Sequence, residues 1–188
     1  MKICMTRHGE TEWNAKGLLQ GHEDIPLNEN GRAQALKLAK HLAQTKWDII
    51  ISSPLSRAKE TAEIIGREVG ANAVIVEPDL IEKDFGEASG TTKEERDRLY
   101  PDRNYPGMEE WEHVIKRTRA VLDRCTTKYA DQNIVIVSHS SVTKALINGI
   151  EGGDKDKHGV SLHSCGVTIA DYTPETGYRF DCINVKVE

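Results

Sequence analysis

Residues 134–137 are Ile-Val-Ile-Val, and this run constrains the fold more than any other segment. A strand without a polar residue has to be covered on both faces, as is typical of a central strand in a sheet packed between helices. Other short apolar segments, separated by amphipathic stretches, lie on both sides of it in the chain. We therefore expect an α/β fold, a three-layer αβα sandwich with a mostly parallel central sheet.

The other elements are predicted from hydrophobic spacing and turn chemistry. The predicted strands are residues 2–6, 47–51, 73–76, 134–137, 166–172 and 179–186. The predicted helices are residues 28–44, a helix that starts at Ser53-Pro54, a short helix at 93–99, and residues 109–129 and 142–150. With 188 residues and no linker or repeat, the chain is predicted to form one domain, residues 1–188.

The charge and cysteine content exclude several classes of function. The net charge is −5 with acidic and basic residues interleaved, which argues against nucleic-acid and anionic-membrane binding. No apolar run is long enough to span a bilayer, and the N-terminus lacks a signal-peptide pattern, so a cytoplasmic protein is expected. The cysteines form no CxxC motif, which favours free thiols, with a Cys165–Cys182 bridge left open.

Charged and polar side chains follow the ends of four predicted strands. Arg7 and His8 come directly after the first strand, and Arg57 lies in the first turn of the helix after the second. Glu82 lies beyond the third strand, and His139 follows residues 134–137. Alone, each could be a surface, loop or helix-start residue. Ligands of open α/β sheets bind outside the carboxyl ends of the strands, so four such groups at that edge predict one site.

Two arginines and two histidines around one point favour an anion. Guanidinium groups match phosphate oxygens bidentately, and a neutral imidazole nitrogen can attack phosphorus in line. Glu82 is the carboxylate predicted at the same rim, where it could protonate a leaving alkoxide. A metal ion is the competing use of two histidines, but neighbouring arginines disfavour a cation. We therefore expect neither a metal nor a cofactor.

Five ordered segments carry a resemblance to a known family. They are residues 3–14 (ICMTRHGETEWN), 19–35 (LQGHEDIPLNENGRAQA), 52–65 (SSPLSRAKETAEII), 80–90 (LIEKDFGEASG) and 134–146 (IVIVSHSSVTKAL). In this order they resemble the histidine phosphatase superfamily, phosphoglycerate mutase-like branch, over nearly the whole chain. Two departures from the family pattern are Ser140 in place of a usual Gly, and Gly107-Met108-Glu109-Glu110 in place of a common Gly-Gly-Glu-Ser.

The resemblance implies a role for each site residue. It implies that His8 forms a phosphohistidine and that Glu82 acts as general acid and then as base. The phosphoryl group would be held by Arg7, Arg57 and His139. Asn14, Gln20 and the backbone of Gly21 would also reach the phosphate.

The resemblance also bears on the reaction. Cofactor-dependent mutases carry a longer insertion between the glutamate and the second histidine, whereas the interval from Glu82 to His139 is short here. The lid-like segment, about residues 83–110, would then admit water to the phosphohistidine. We expect a phosphatase acting on small soluble phosphate monoesters, with a phosphoglycerate mutase and a non-catalytic phospho-ligand or protein-binding module as alternatives.

The substrate itself cannot be deduced from the sequence. It is expected to be a small phosphorylated metabolite, selected by residues 83–110 and by residues 152–163. Arg96, Arg98 and Arg103 in the first of these segments either are solvated or meet a second anionic group. No nucleic-acid or membrane partner is expected, and a homodimer is left open.

Overall fold

The structure is a computed structural model that describes residues 1–71, 74–152 and 161–187. Its one sheet has six strands in the order β3-β2-β4-β1-β5-β6. The strands are β1 (Lys2–Arg7), β2 (Ile49–Ser52), β3 (Val74–Val76), β4 (Ile134–Ser138), β5 (Val167–Thr173) and β6 (Gly177–Val185). Residue 73 of the predicted third strand, and residues 153–160 of the segment expected to contribute to substrate selection, lie outside the described residues.

The sheet is parallel from β3 to β1 and antiparallel beyond β1. Strand β4 pairs in parallel with β2 on one side and with β1 on the other, which confirms residues 134–137 as a central strand. Strands β5 and β6 form an antiparallel hairpin whose first strand pairs with β1. In the register of β1 with β4, Arg7 is opposite Ser138. The residues that follow these two strands, His8 and His139, are therefore adjacent at the edge of the sheet.

Helices cover both faces of the sheet. They are α1 (Glu12–Ala15), α2 (Glu29–Leu42), α3 (Ser56–Val69), α4 (Lys93–Leu99), α5 (Trp111–Lys128) and α6 (Ser140–Ile150). Along β4, Ile134 and Ile136 pack with apolar residues of α5 and α6, while Val135 and Val137 pack with those of α2 and α3. Alternate residues of one strand thus enter opposite cores, and the predicted three-layer sandwich is confirmed.

Several boundaries differ from the prediction, most clearly at the start of α3. The helix was expected at Ser53-Pro54 but begins at Ser56, with Leu55 in extended conformation as its N-cap. The amide of Ser53 donates to the Val137 carbonyl, so this residue continues the sheet edge instead of entering the helix. Helix α5 likewise begins later than predicted, because the amide of Glu109 donates to the Asp84 carbonyl.

The segment between β3 and α5 has little regular structure besides α4. Helix α4 coincides with the predicted residues 93–99, because Thr92 and Glu95 form a capping box at its start. All four cysteines are free thiols, so the Cys165–Cys182 bridge that was left open is absent. None of the helices in the described ranges combines the length and the apolar composition that crossing a bilayer requires.

Candidate active site

The carboxyl edge of the sheet brings the two predicted histidines together. The amide of His8 donates to the Ser138 carbonyl at 2.9 Å, which continues the pairing of β1 with β4 by one residue. The rings of His8 and His139 lie edge to face, with centroids 5.1 Å apart, and both are buried. The residue after His8 has to be small, since a Cβ on Gly9 would lie 2.3 Å from the Gly31 carbonyl oxygen.

Arg57 is held against His8 by backbone carbonyls. Its two terminal nitrogens donate to the carbonyls of Glu23 (2.6 Å) and Gly21 (2.9 Å), in the loop between α1 and α2. Its Nε donates to Nε2 of His8 at 3.2 Å. Only 1% of this arginine is exposed. The buried guanidinium is therefore a fixed positive charge beside His8.

Two buried side-chain nitrogens in this region have no hydrogen-bond partner within the described residues. They are Nε of Arg7 and Nδ1 of His139. A terminal nitrogen of Arg7 donates to the Leu162 carbonyl at 3.0 Å, so the guanidinium is anchored while its Nε stays an unpaired donor. Buried polar groups are nearly always paired, so two unpaired nitrogens beside His8 indicate a ligand site, and the guanidinium favours an anion there.

Glu82 ends a short segment, residues 79–82, whose backbone carbonyls are hydrogen-bonded by three side chains. Arg117 of α5 donates at 2.6 Å to the carbonyls of Asp79 and Ile81, and Ser138 Oγ donates at 2.7 Å to the Leu80 carbonyl. The Glu82 carbonyl itself bonds Nε2 of His22 at 2.8 Å. These contacts fix the position from which the Glu82 carboxylate reaches the site.

The Glu82 carboxylate is 7% exposed and accepts two backbone hydrogen bonds. Its Oε1 accepts from the amide of Lys83 at 2.9 Å, and its Oε2 accepts from the amide of Ser141 at 3.4 Å, in the first turn of α6. The carboxylate therefore points at the same sheet edge as His8.

A cavity of about 180 Å³ opens over these groups. Seven of the eight predicted site residues line it, and the eighth, His139, is fully buried against His8. The lining residues are Arg7, His8, Asn14, Leu18, Leu19, Gln20, Gly21, Arg57, Glu82, Phe85, Ser140 and Ser141. A larger cavity of about 530 Å³ runs along α5 but has no histidine, cysteine or serine in its lining. Of these two cavities, the smaller is therefore the candidate site for nucleophilic chemistry.

The predicted phosphate-contacting amides are oriented by their own partners. Asn14 Oδ1 accepts from the Thr11 amide in the cap of α1, and Gln20 Oε1 accepts from Thr11 Oγ1. Both carbonyl oxygens are thereby engaged, which leaves the two amide nitrogens as donors at the cavity. Gly21 has φ +53°, a backbone conformation that favours glycine, and a Cβ there would lie 3.0 Å from Ser89 Oγ.

Burial keeps His8 neutral, and its partners assign the tautomer. Desolvation lowers the pKa of His8 well below its ordinary value, and the charges of Arg7 and Arg57 lower it further. Nδ1 lies 2.6 Å from the Gly9 carbonyl oxygen, which can only accept, so Nδ1 carries the proton. Nε2 then has its lone pair free toward Arg57 and the cavity.

His139 is neutral for the same reason and is oriented by Ser53. Burial, followed by the charge of Arg57, lowers the pKa of His139 well below its ordinary value. Its Nε2 lies 2.7 Å from Ser53 Oγ, and that oxygen already accepts from the amide of Leu55. The Ser53 hydroxyl can donate to Nε2 or accept from it, so this contact orients the ring and leaves Nδ1 as its unpaired nitrogen.

Ser53→Ala is expected to lower kcat by roughly 10- to 100-fold, or about 1.4–2.7 kcal/mol, because His139 loses the contact that orients its ring. Ser53→Thr retains the hydroxyl and should recover most of the rate. Steady-state kinetics of both variants measure the loss of kcat and its recovery. Vanadate inhibition reports on the phosphate site, and thermal unfolding is the control for folding. A Ser53→Ala enzyme with wild-type kcat and vanadate affinity would show that Ser53 plays no positioning role.

The buried histidines also predict how stability depends on pH. Their pKa values are lowered on folding, so the unfolded chain binds protons that the folded chain does not once the pH falls below about 6.5. The free energy of unfolding should therefore decrease as the pH is lowered through this range. Each histidine contributes a slope of up to ~1.4 kcal/mol per pH unit.

Denaturant unfolding of wild type and His139→Gln, in phosphate-free buffers between about pH 6 and pH 5, tests this. The variant should have the shallower dependence on pH, and His113→Gln, which changes an exposed histidine of α5, should keep the wild-type slope. A His139→Gln profile parallel to wild type would contradict the assignment of a neutral, buried His139.

Sequence reasoning missed several residues that build the site. Ser53 was assigned to a helix start, and Arg117 and His22 were given no role. Leu18, Leu19, Phe85 and Ser141 were not named among the lining residues. The Ser-Ser-Pro motif before α3 was the available signal for Ser53. The contacts of Arg117 and His22 with carbonyls leave no signature in the sequence.

Within the described residues, no three side chains of histidine, cysteine, aspartate or glutamate come together in a way that could hold a metal ion.

Comparisons with known proteins place this arrangement among enzymes of phosphate chemistry. A family model described as the histidine phosphatase superfamily (branch 1) matches residues 3–185. The chain is 38% identical to the uncharacterized phosphatase PhoE of Bacillus subtilis, over 92% of this chain and 89% of that protein. It is 32% identical to the probable phosphoglycerate mutase GpmB of Cronobacter sakazakii, over 92% and 85%.

A solved structure agrees in fold. Phosphoserine phosphatase from Entamoeba histolytica, in complex with 3-phosphoglyceric acid, superposes with a TM-score of 0.83 at 30% identity. The match covers 97% of this chain and 96% of that one.

Proposed function

The chain belongs to branch 1 of the histidine phosphatase superfamily, and on that premise we propose that it hydrolyses small phosphate monoesters through a phosphohistidine at His8. One observation carries the proposal. The unprotonated Nε2 of His8 faces a cavity beside two unpaired buried nitrogens, Arg7 Nε and His139 Nδ1. In the proposed complex the ring proton of His139 is on Nδ1, and the phosphate accepts from both nitrogens while its phosphorus lies next to the nucleophile.

The first step forms the covalent intermediate. A phosphate entering the cavity replaces His8 Nε2 as acceptor for Arg57 Nε and so frees the lone pair for attack. The bond from phosphorus to the leaving oxygen breaks as the bond to Nε2 forms. Arg7 and Arg57 neutralise the charge on the equatorial oxygens, and neutral His139 donates a hydrogen bond to them. Glu82 gives its proton to the leaving alkoxide.

The second step returns the enzyme to its starting state. Glu82, now ionised, accepts a proton from a water molecule as that water attacks phosphorus. The bond to Nε2 breaks, and inorganic phosphate and neutral His8 remain. The fixed carbonyl contacts of Arg57 and of the Glu82 segment mean that the same positions serve both steps without rearrangement.

Hydrolysis of the phosphohistidine is proposed over transfer of its phosphoryl group back to substrate, because few residues cover the catalytic cavity and could exclude water from it. Residues 83–110 contain α4 and one turn of 3-10 helix (Gly86–Ala88), and this segment supplies Phe85 alone to the lining of the catalytic cavity. A mutase has to protect its phosphohistidine while the substrate reorients. Similarity to phosphatases supports hydrolysis, and similarity to a probable phosphoglycerate mutase keeps transfer as the second candidate.

Phosphate release distinguishes these candidates. The enzyme should release phosphate steadily from 4-nitrophenyl phosphate and from metabolite monoesters without added bisphosphoglycerate, and equally well in the presence of EDTA. It should interconvert 2- and 3-phosphoglycerate little when bisphosphoglycerate is added. Efficient interconversion with negligible phosphate release would favour the mutase, and no turnover of any monoester would favour a binding module.

A further inference from the structure

A second cavity adjoins the catalytic one. It has a volume of about 240 Å³ and shares Leu19 and Phe85 with the catalytic cavity. Its lining residues are Leu19, Phe85, Lys93, Arg96, Asp97, Arg103 and Tyr105. The two cavities therefore adjoin at Leu19 and Phe85, and these two apolar side chains are called the neck below.

The charge of the second cavity is positive. Lys93 and Asp97 pair with each other at 2.5 Å, one turn apart on α4, and so largely neutralise one another. Arg96 and Arg103 complete the charged residues of the lining, so three cationic side chains face one carboxylate there, that of Asp97. Both arginines present forked donors, a geometry that suits the oxygens of a carboxylate or phosphate.

Arg96 is anchored at the neck. One of its terminal nitrogens donates to the Thr91 carbonyl at 2.5 Å. The same carbonyl accepts from the amide of Leu19 at 3.1 Å, and the Leu19 carbonyl accepts from Gly90 at 2.7 Å. The guanidinium of Arg96 is thus bound to the backbone that carries one side of the neck, which keeps it at the boundary between the two cavities.

The opposite wall is built from the turn after α4. The amide of Arg103 donates to the Tyr100 carbonyl at 2.9 Å, and the rings of Tyr100 and Tyr105 pack edge to face with centroids 5.4 Å apart. The amide of Glu87 donates to the Pro106 carbonyl at 3.0 Å, so this turn is tied to the segment that carries Phe85. Arg103 and Tyr105 are therefore held beside the neck.

We propose that this second cavity, residues Leu19, Phe85, Arg96, Arg103 and Tyr105, binds a second anionic group on the substrate. The inference rests on the proposed function and specifies its substrate class. The substrate is a phosphate monoester whose organic part carries an apolar or aromatic spacer that crosses the neck and ends in an oxyanion. Leu19 and Phe85 contact the spacer, and Arg96 and Arg103 bind the terminal anion.

Aryl phosphates with matched leaving groups test this. 4-(Phosphonooxy)phenylacetate and its neutral primary amide carry the same phosphoryl group on nearly the same phenol leaving group, and they differ in the charge of the group para to it. A third substrate, in which an arylmethylphosphonate replaces the acetate, shows whether the second cavity prefers a phosphonate to a carboxylate. The carboxylate and phosphonate substrates are called the anionic arms of the experiment. For wild type, kcat/KM should be at least about tenfold higher for these two substrates than for the amide, the difference expected for one charge-assisted hydrogen bond.

Two variants and a matched control complete the experiment. Arg96→Gln and Arg103→Asn should each reduce the preference for the anionic arms to within about twofold, because each loses one charge-assisted contact. Asparagine suits the positive φ of 58° at residue 103. Both variants should hydrolyse 4-nitrophenyl phosphate at the wild-type rate. Arg98→Gln, on α4 but outside the cavity lining, should keep the wild-type preference.

Three results would overturn the inference. They are no preference of the wild type for anionic arms, a preference that survives both substitutions, and an equal loss in Arg98→Gln. In all three, 4-nitrophenyl phosphate would still be hydrolysed, so the proposed function would stand. Failure to hydrolyse 4-nitrophenyl phosphate at all would contradict the proposed function and, with it, this inference.

Discussion

His8→Ala is expected to lower kcat by at least ~10⁴-fold, or about 5.5 kcal/mol, because no other group can take over the attack. The nearest candidate, His139, has its Nε2 engaged by Ser53. Arg57 would remain, so the phosphate site should persist without the nucleophile. Steady-state release of phosphate from 4-nitrophenyl phosphate measures the loss, and calorimetric binding of vanadate checks that the anion site is retained.

His113→Ala is the matched control, since it removes an exposed histidine on α5 and should leave kcat unchanged. A His8→Ala enzyme within about tenfold of wild type, a difference of only ~1.4 kcal/mol, would mean that His8 is not the nucleophile.

Glu82→Gln should separate substrates by their leaving groups. The amide has nearly the shape of the carboxyl and can still accept from the amide of Lys83 or Ser141, but it has no proton to give. Alkyl phosphates, whose alkoxides need protonation, should slow by roughly 10²–10⁴-fold. 4-Nitrophenyl phosphate, whose phenolate leaves unassisted, should slow much less. The measurement is kcat/KM over a series of monoesters with graded leaving-group pKa. The dependence of kcat/KM on leaving-group pKa should be steeper for Glu82→Gln than for wild type.

Glu87→Gln serves as the control, because it changes an exposed carboxylate in the same segment and should leave that dependence unaltered. An equal loss on alkyl and aryl substrates would assign Glu82 a structural role, or a role confined to hydrolysis of the phosphohistidine.

The convergence of the site could be predicted because it depends on topology. Parallel strands end at one edge of a sheet, so residues that directly follow strands meet there, as His8 and His139 do. Arg57 was predictable for the same reason, since it begins the helix that follows β2. The apolar run at residues 134–137 predicted the central strand. The short helix predicted near residues 93–99 is α4, where the structure shows a capping box of Thr92 with Glu95.

The remaining part of the site depends on side chains that meet the backbone over long sequence separations. Arg117 bonds carbonyls 36 and 38 residues earlier in the chain, and no periodicity or motif marks such a contact. Ser53 was hidden by the misplaced start of α3, because a residue assigned to a helix start is expected to cap that helix instead of contacting a histidine 86 residues away. Sequence patterns identify which groups meet, whereas packing decides how each is oriented.

Covalent phosphoryl transfer through His8 can be tested directly by trapping the intermediate. The enzyme is mixed with substrate radiolabelled in the phosphoryl group, quenched within one turnover in alkaline detergent, digested and analysed by mass spectrometry. We expect one phosphoryl group on the peptide that contains His8, stable to alkali and labile to acid, and absent from His8→Ala. A wild-type enzyme that turns over rapidly with no label, or with the label on another residue, would contradict the account.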